Sequence, residues 1–144
     1  MYVTSNDLFY ADNWPEPRLG SRAWTIAFEA IFQEVHGYAP TYTKFGKPES
    51  IAYDFAEKMI GDQCLKEGIE ISNYYMIGDN PLSDIEGANR RGKENLQKSG
   101  TNNWRSILVK TGVWKEGADT NNADYVVDDM KAAYELILKE EGLM

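Results

Sequence analysis

Two carboxylates, Asp79 and Asp84, follow the apolar run Tyr74-Tyr75-Met76-Ile77 within the segment Gly78-Asp79-Asn80-Pro81-Leu82-Ser83-Asp84-Ile85. The run predicts a strand that delivers Asp79 to a sheet edge, and the tight loop after it predicts that Asp84 opens a helix. Carboxylates that converge repel unless they share a proton or a cation. A hard divalent ion such as Mg²⁺ prefers oxygen ligands and fits this need. A plainer role is equally open from these residues: Asp84 caps a helix and Asp79 ends a turn.

Lys47, in Gly46-Lys47-Pro48, is the third candidate. An ammonium at a helix start can reach a phosphate or an acyl phosphate as a point charge. Taken alone, a lysine before a proline is more often simply solvated.

The elements that must position these residues follow from periodicity. Met1 to Thr4 reads as a short strand closed by Ser5-Asn6-Asp7, and Asn13 to Gly20 as an irregular connection. Trp24, Ala27, Phe28, Ile31, Phe32 and Val35 share one face of a helix that stops at Gly37. Pro48 is expected in the first turn of the next helix, with Ala52, Phe55, Ala56, Met59 and Ile60 inward. Ser83 and Glu86 form a capping-box pattern for a short helix, and Lys93 to Asn103 reads as an exposed polar loop. Ser106 to Val109 and Tyr125 to Val127 read as strands. Asp128 or Asp129 caps a last helix with Met130, Ala133, Tyr134, Ile137 and Leu138 inward. Strands that are continuously apolar and alternate with helices predict an α/β fold, a Rossmann-like parallel sheet with helices on both faces. Ligands in such sheets bind at the C-terminal strand ends, where Asp79 falls.

Composition narrows the partners. The 144 residues carry a net charge of −8, which argues against nucleic acid or an anionic membrane as a broad-surface partner. Cys64 is the only cysteine and His36 the only histidine, so neither a disulfide, a zinc cluster nor a histidine triad is on offer. The lone thiol favours an intracellular setting, cytoplasm or mitochondrion. Arg90, Arg91, Lys93 and Lys98 read as a solvated basic cluster.

The chain order is Gly-Lys-Pro, helix, strand, Gly-Asp-x-x-x-Ser-Asp, and then a strand ending Lys110-Thr111-Gly112-Val113. With Ser5-Asn6-Asp7 and Pro17-Arg18-Leu19-Gly20, this resembles the haloacid-dehalogenase (HAD) superfamily from about Tyr2 to Glu140. The similarity is to the class with a large cap inserted after the second core motif, and within it to the cat-eye-syndrome-region hydrolase-like branch. The resemblance implies a Mg²⁺-dependent phosphatase acting on a small phosphorylated metabolite. It makes Lys47 the catalytic lysine of the third motif and Asp79 a metal ligand. It makes Asp84 the partner acid that holds metal-bound water or orients Lys47. Asn80 and Ser83 would line the same loop.

The family's nucleophile lies in an Asp-x-Asp motif after its first strand, and neither Asp7 nor Asp12 has that context. Residues 1–144 therefore read as the C-terminal part of the core, without nucleophile, cap or core strands 1 and 2. The resemblance places Met1 to Thr4 as strand 3, and the strands at Tyr74 and Ser106 as strands 4 and 5, of a sheet ordered 5-4-1-2-3. The expected consequences are an inactive and poorly stable isolated chain whose open strand edges lead to self-association, to a separate N-terminal half as partner, or to an altered sheet in which strand 3 pairs elsewhere. The alternative is a non-catalytic binding or regulatory module. A receiver-like phospho-acceptor domain is disfavoured, because its acids precede its lysine in the chain.

Overall fold

The computed structural model describes all residues, Met1–Met144. Its centre is a three-stranded parallel sheet of β5 (Tyr74–Gly78), β6 (Trp104–Val109) and β7 (Tyr125–Val127), in the order β5-β6-β7. The register pairs Tyr74 with Trp104 and Ile107 with Tyr125. Alternation along the strands sorts the side chains to two faces. Tyr74, Met76 and Trp104 pack with Tyr53 and Ala88, which belong to α2 (Ser50–Lys66) and α3 (Glu86–Ser99). Tyr75, Ile77, Ile107 and Val109 pack with Ala133 and Ile137 of α4 (Met130–Glu140). The parallel sheet covered on both faces is thus the α/β arrangement expected from the continuously apolar strands.

The N-terminal part forms two small ladders of its own. β1 (Tyr2–Val3) pairs in parallel with β4 (Thr43–Lys44), and β2 (Phe9–Tyr10) pairs in antiparallel with β3 (Arg18–Leu19). β3 falls inside the stretch read as irregular. β1 does not join the central sheet, and the outer edge of β5 has no strand beside it. α1 (Ser21–His36) forms as its periodicity predicts and ends at Gly37, whose φ of 75° closes the helix. Its apolar stripe, however, is not covered: Trp24, Ile31 and Val35 are exposed, and Thr25 is the buried residue. On α2 the buried residue is Tyr53, while Phe55, Met59 and Ile60 are exposed. On α4, Ala133 is buried while Met130 and Tyr134 are exposed. The helical spacings were right, but the layer that would cover these faces is not present in the fold.

Three local expectations are corrected. Lys93 to Ser99 is not loop but the second half of α3, which runs to a C-cap at Gly100 with φ 77°. Its Lys, Glu, Gln and Leu residues are good helix formers, and their polarity marks a solvated helix face. Pro48 lies in the turn before α2, whose N-cap is Glu49. Ser83 caps nothing; the N-cap is Asn80, whose side chain accepts from the Leu82 amide and opens a single π-helical turn, Pro81–Ile85.

Nor is the basic cluster merely solvated. Arg91, only 6% exposed, binds Glu57 of α2 through Nε (3.0 Å) and Nη2, and reaches Asp54 (2.7 Å) and Glu94 (3.2 Å) through Nη1. Glu57 also accepts from Trp104 Nε1 at 2.6 Å and Asn95 Nδ2 at 2.9 Å. Burial alone would raise the Glu57 pKa. The hydrogen bonds from Arg91, Trp104 and Asn95 and the Arg91 charge outweigh it and hold Glu57 down at about 2. A depressed carboxylate stabilises the fold above its unfolded value near 4.5, and that contribution is lost as pH falls toward 2.

Glu57→Gln should therefore lower the melting temperature at pH 7, at a cost of about 1–3 kcal/mol from the weakened partners of a buried guanidinium. Between pH 4.5 and 2 the variant should also show a flatter loss of stability than the parent, checked by thermal melts across that range. The open edge of β5 and the uncovered apolar faces predict that the 144-residue chain self-associates when purified alone. Sedimentation velocity showing a clean monomer with a sharp cooperative melt would contradict this.

Candidate functional site

The site forms where strand ends meet. Asp79 follows β5 directly, and Asp84 lies in the π-helical turn Pro81–Ile85. Lys47 lies in the turn between β4 and α2, and its Nζ donates to Asp84 Oδ1 at 2.5 Å. The Asp84 side chain is 4% exposed and that of Lys47 40%. The other Asp84 oxygen accepts from the Asn80 amide at 3.1 Å. Tyr53, buried beneath the turn, has its hydroxyl 3.3 Å from the Ser83 carbonyl and 3.2 Å from that of Asp84, and donates toward both. Burial and the Asp84 charge push the Tyr53 pKa well up, so it stays a neutral donor.

Two glycines make this packing feasible. A Cβ on Gly78 would lie 2.3 Å from the Asp84 carboxyl group, so the strand must end in a residue without one. Gly112, at φ 58°, sits against Asp79, where a Cβ would come within 1.9 Å of Oδ2. The turn it makes presents the Val113 amide to Asp79 Oδ2 at 2.6 Å. Asp79 Oδ1 makes no hydrogen bond within the protein.

The lysine feels three carboxylates. Burial alone would lower its pKa, but the hydrogen bond and charge of Asp84, with the charges of Asp7 and Asp79, outweigh burial and raise it above 10.5. The ion pair therefore stabilises the fold fully below 10.5 and is lost as pH rises through the raised folded value. Lys47, Asp79 and Asp84, the three candidates from sequence, thus lie around one small cavity of about 230 Å³. Lys47 bonds Asp84 rather than Asp79.

Sequence reasoning missed Asp7. It lines the same cavity, and its Oδ1 accepts from Asn80 Nδ2 at 3.0 Å. Its position just past β1 was a usable signal, since acids at the C-terminal ends of parallel strands point to the binding edge. No three acidic, histidine or cysteine side chains come together as a metal-binding group. Both Asp84 oxygens are engaged, and Asp7 is held by Asn80.

A family model described as HAD-hydrolase-like matches residues 44–133, a span that contains Lys47, Asp79 and Asp84. The chain belongs to the HAD-like hydrolase family. It is 35% identical over 133 residues to a cardiolipin synthase (CMP-forming) / mitochondrial hydrolase fusion protein of Schizosaccharomyces pombe, covering 90% of this chain and 20% of that protein. It is 30% identical over 139 residues to a mitochondrial hydrolase of Saccharomyces cerevisiae, covering 83% of this chain and 36% of that one. The chain thus spans well under half the length of these two relatives. Its fold is similar to part of the p-nitrophenyl phosphatase from Archaeoglobus fulgidus (TM-score 0.56, 18% identity, 92% of this chain and 44% of that one). The 4-nitrophenylphosphatase from Thermotoga maritima is similar to the same degree (TM-score 0.58, 19% identity, 91% and 42%).

Because Asp84 holds the Lys47 pKa up against burial, Asp84→Asn should lower it. The titration of the Lys47 side chain, followed by NMR at its Cε, should move to lower pH, because the hydrogen bond and charge that favour the ammonium are lost. An unmoved titration would show that the pair does not form in solution.

Proposed function

We propose that this chain supplies the lysine and metal-binding part of a Mg²⁺-dependent phosphatase that hydrolyses a small phosphorylated metabolite. The supporting observation is the Lys47 ammonium, fixed on a buried Asp84 and sharing a cavity with Asp79 at the carboxyl end of a parallel strand. A cation held at such a point meets the charge on a transferring phosphoryl group. Asp84 keeps Lys47 charged and aimed, and Tyr53 and Asn80 hold the turn that carries Asp84. Val113 N fixes one oxygen of Asp79 and leaves the other free.

That free oxygen suits Mg²⁺, which is commonly bound by one or two carboxylates together with waters and substrate phosphates. Asp79 is the direct ligand in this reading, and Asp84, already bonded through both oxygens, acts nearby through Lys47 or a bound water. Bound there, Mg²⁺ would neutralise charge on the phosphoryl oxygens. We assign the attacking carboxylate to an Asp-x-Asp motif outside residues 1–144, because neither Asp7 nor Asp12 follows a strand in that pattern. The remainder of such an enzyme would also cover the β5 edge and the apolar faces of α1 and α2. The names of the two curated relatives point to a mitochondrial setting.

The test is a pair of assays with Mg²⁺ and 4-nitrophenyl phosphate. The 144-residue chain should show no turnover. The longer parent protein should turn over, Lys47→Ala should reduce its kcat about 10²–10³-fold, a loss typical of removing one charge-stabilising donor, and Asp79→Asn should weaken Mg²⁺ binding at least tenfold by calorimetry. A parent that binds Mg²⁺ without turnover would favour a non-catalytic binding module instead.

A further inference from the structure

A second, larger cavity of about 570 Å³ adjoins the site and shares Asp7, Phe9, Asn80 and Val113 with it. Three residues in its wall carry buried polar atoms with no hydrogen-bond partner: the Asn6 side-chain amide, Ser83 Oγ and Trp114 Nε1. Ser83 is 3% exposed. Unpaired buried polar groups are uncommon in folded proteins, and three around one cavity call for an explanation. The rest of the wall is apolar at Phe9, Pro17 and Leu82, and acidic at Asp7, Glu16 and Asp119 against one cation, Lys115. An apolar cavity of this volume with a few converging polar groups is the usual form of a small-molecule site.

We propose that this cavity is the subsite for the organic group of the phosphomonoester, and that it takes an uncharged group with a carbon face and hydroxyl, carbonyl or amide functions. The inference rests on the phosphatase reading above. A phosphate at Lys47 and Asp79 would send its ester substituent past Asn80 and Val113, which border both cavities. Inside, Trp114 and Phe9 offer area to a carbon skeleton. Asn6 can donate and accept, Ser83 can do either, and the indole N–H can donate, after small side-chain rotations that free these atoms from the wall. The excess of carboxylates repels a second phosphate or a carboxylate, so bisphosphates and acidic esters are excluded. Part of the substrate choice thus lies in this chain.

Calorimetry on the 144-residue chain with Mg²⁺ can read this directly, using inorganic phosphate, phenyl phosphate and 4-carboxyphenyl phosphate. The expected order is phenyl phosphate at least tenfold tighter than phosphate, with the carboxylated ester losing most of that gain. Trp114→Ala should weaken phenyl phosphate about tenfold while phosphate stays within twofold. Trp114→Phe, which keeps a ring and removes the N–H, guards against loss of folding and should fall between the two. Asp119→Asn should recover several-fold of the affinity for the carboxylated ester. If phosphate binds and Lys47→Ala abolishes it, yet the phenyl group adds nothing or Trp114→Ala weakens both ligands equally, the subsite is overturned and the phosphatase reading stands. If neither phosphate nor phenyl phosphate binds, the subsite is overturned, and the phosphatase reading stands or falls separately on the turnover and Mg²⁺-binding assays of the longer protein.

Discussion

The Lys47–Asp84 pair is the contact on which this site turns. A carboxylate that is 4% exposed cannot stand alone at low cost, and its two oxygens are met by one ammonium and one backbone amide. The pair also has a mechanical role. Lys47 lies in the turn after β4, which pairs with β1, whereas Asp84 lies in the turn after β5 of the central sheet. The ion pair spans 37 residues of sequence and joins those parts at the point where chemistry is expected. The Asp7–Asn80 hydrogen bond adds a second tie at the same edge.

Everything near the pair is shaped to permit it. Gly78 leaves room for the Asp84 carboxyl group, Gly112 leaves room for Asp79, and Tyr53 holds the turn from below. Asn80 uses all of its polar groups: its backbone amide on Asp84, its carbonyl on the Ser83 and Asp84 amides, its side-chain oxygen on Leu82 and its side-chain nitrogen on Asp7. Positioning of this sort fixes the charges of Lys47 and Asp84 in place before any ligand arrives. Behind the site, Arg91 and Glu57 clamp α3 to α2, and Glu57 also holds the Trp104 indole. Since Tyr53 lies on α2 and reaches the Asp84 turn, that clamp helps to fix the site.

The same structure is open on one side. β5 has one strand neighbour, and α1 shows its aromatic stripe to solvent. A fold with this much uncovered apolar surface is poised to associate, which agrees with a chain that matches 20% and 36% of its relatives' lengths.

Local patterns carried much of this in the sequence alone. An apolar run of four residues before Gly-Asp reads as a strand of a covered parallel sheet with Asp79 at its carboxyl end, so β5 and the place of Asp79 were legible, although its residues are only half-buried. The helical spacing in α1 and α4 was equally legible, because 3.6-residue periodicity is a local property. Polarity misled at Lys93 to Ser99, where a solvated helix face looks like a loop. It misled again at Arg91, whose acidic partners Asp54 and Glu57 lie more than thirty positions away. Which oxygen Lys47 would choose, that Asp7 would join it, and that Asn6, Ser83 and Trp114 would border one cavity were decided by tertiary structure alone. These contacts link segments far apart in the chain, and nothing local in the sequence encodes a distance between such segments. Sequence determined which residue types, one ammonium and several carboxylates, stand near the strand ends; only the packing of β1, β5 and the Gly112 turn around one edge determined which of their atoms are paired and which remain free.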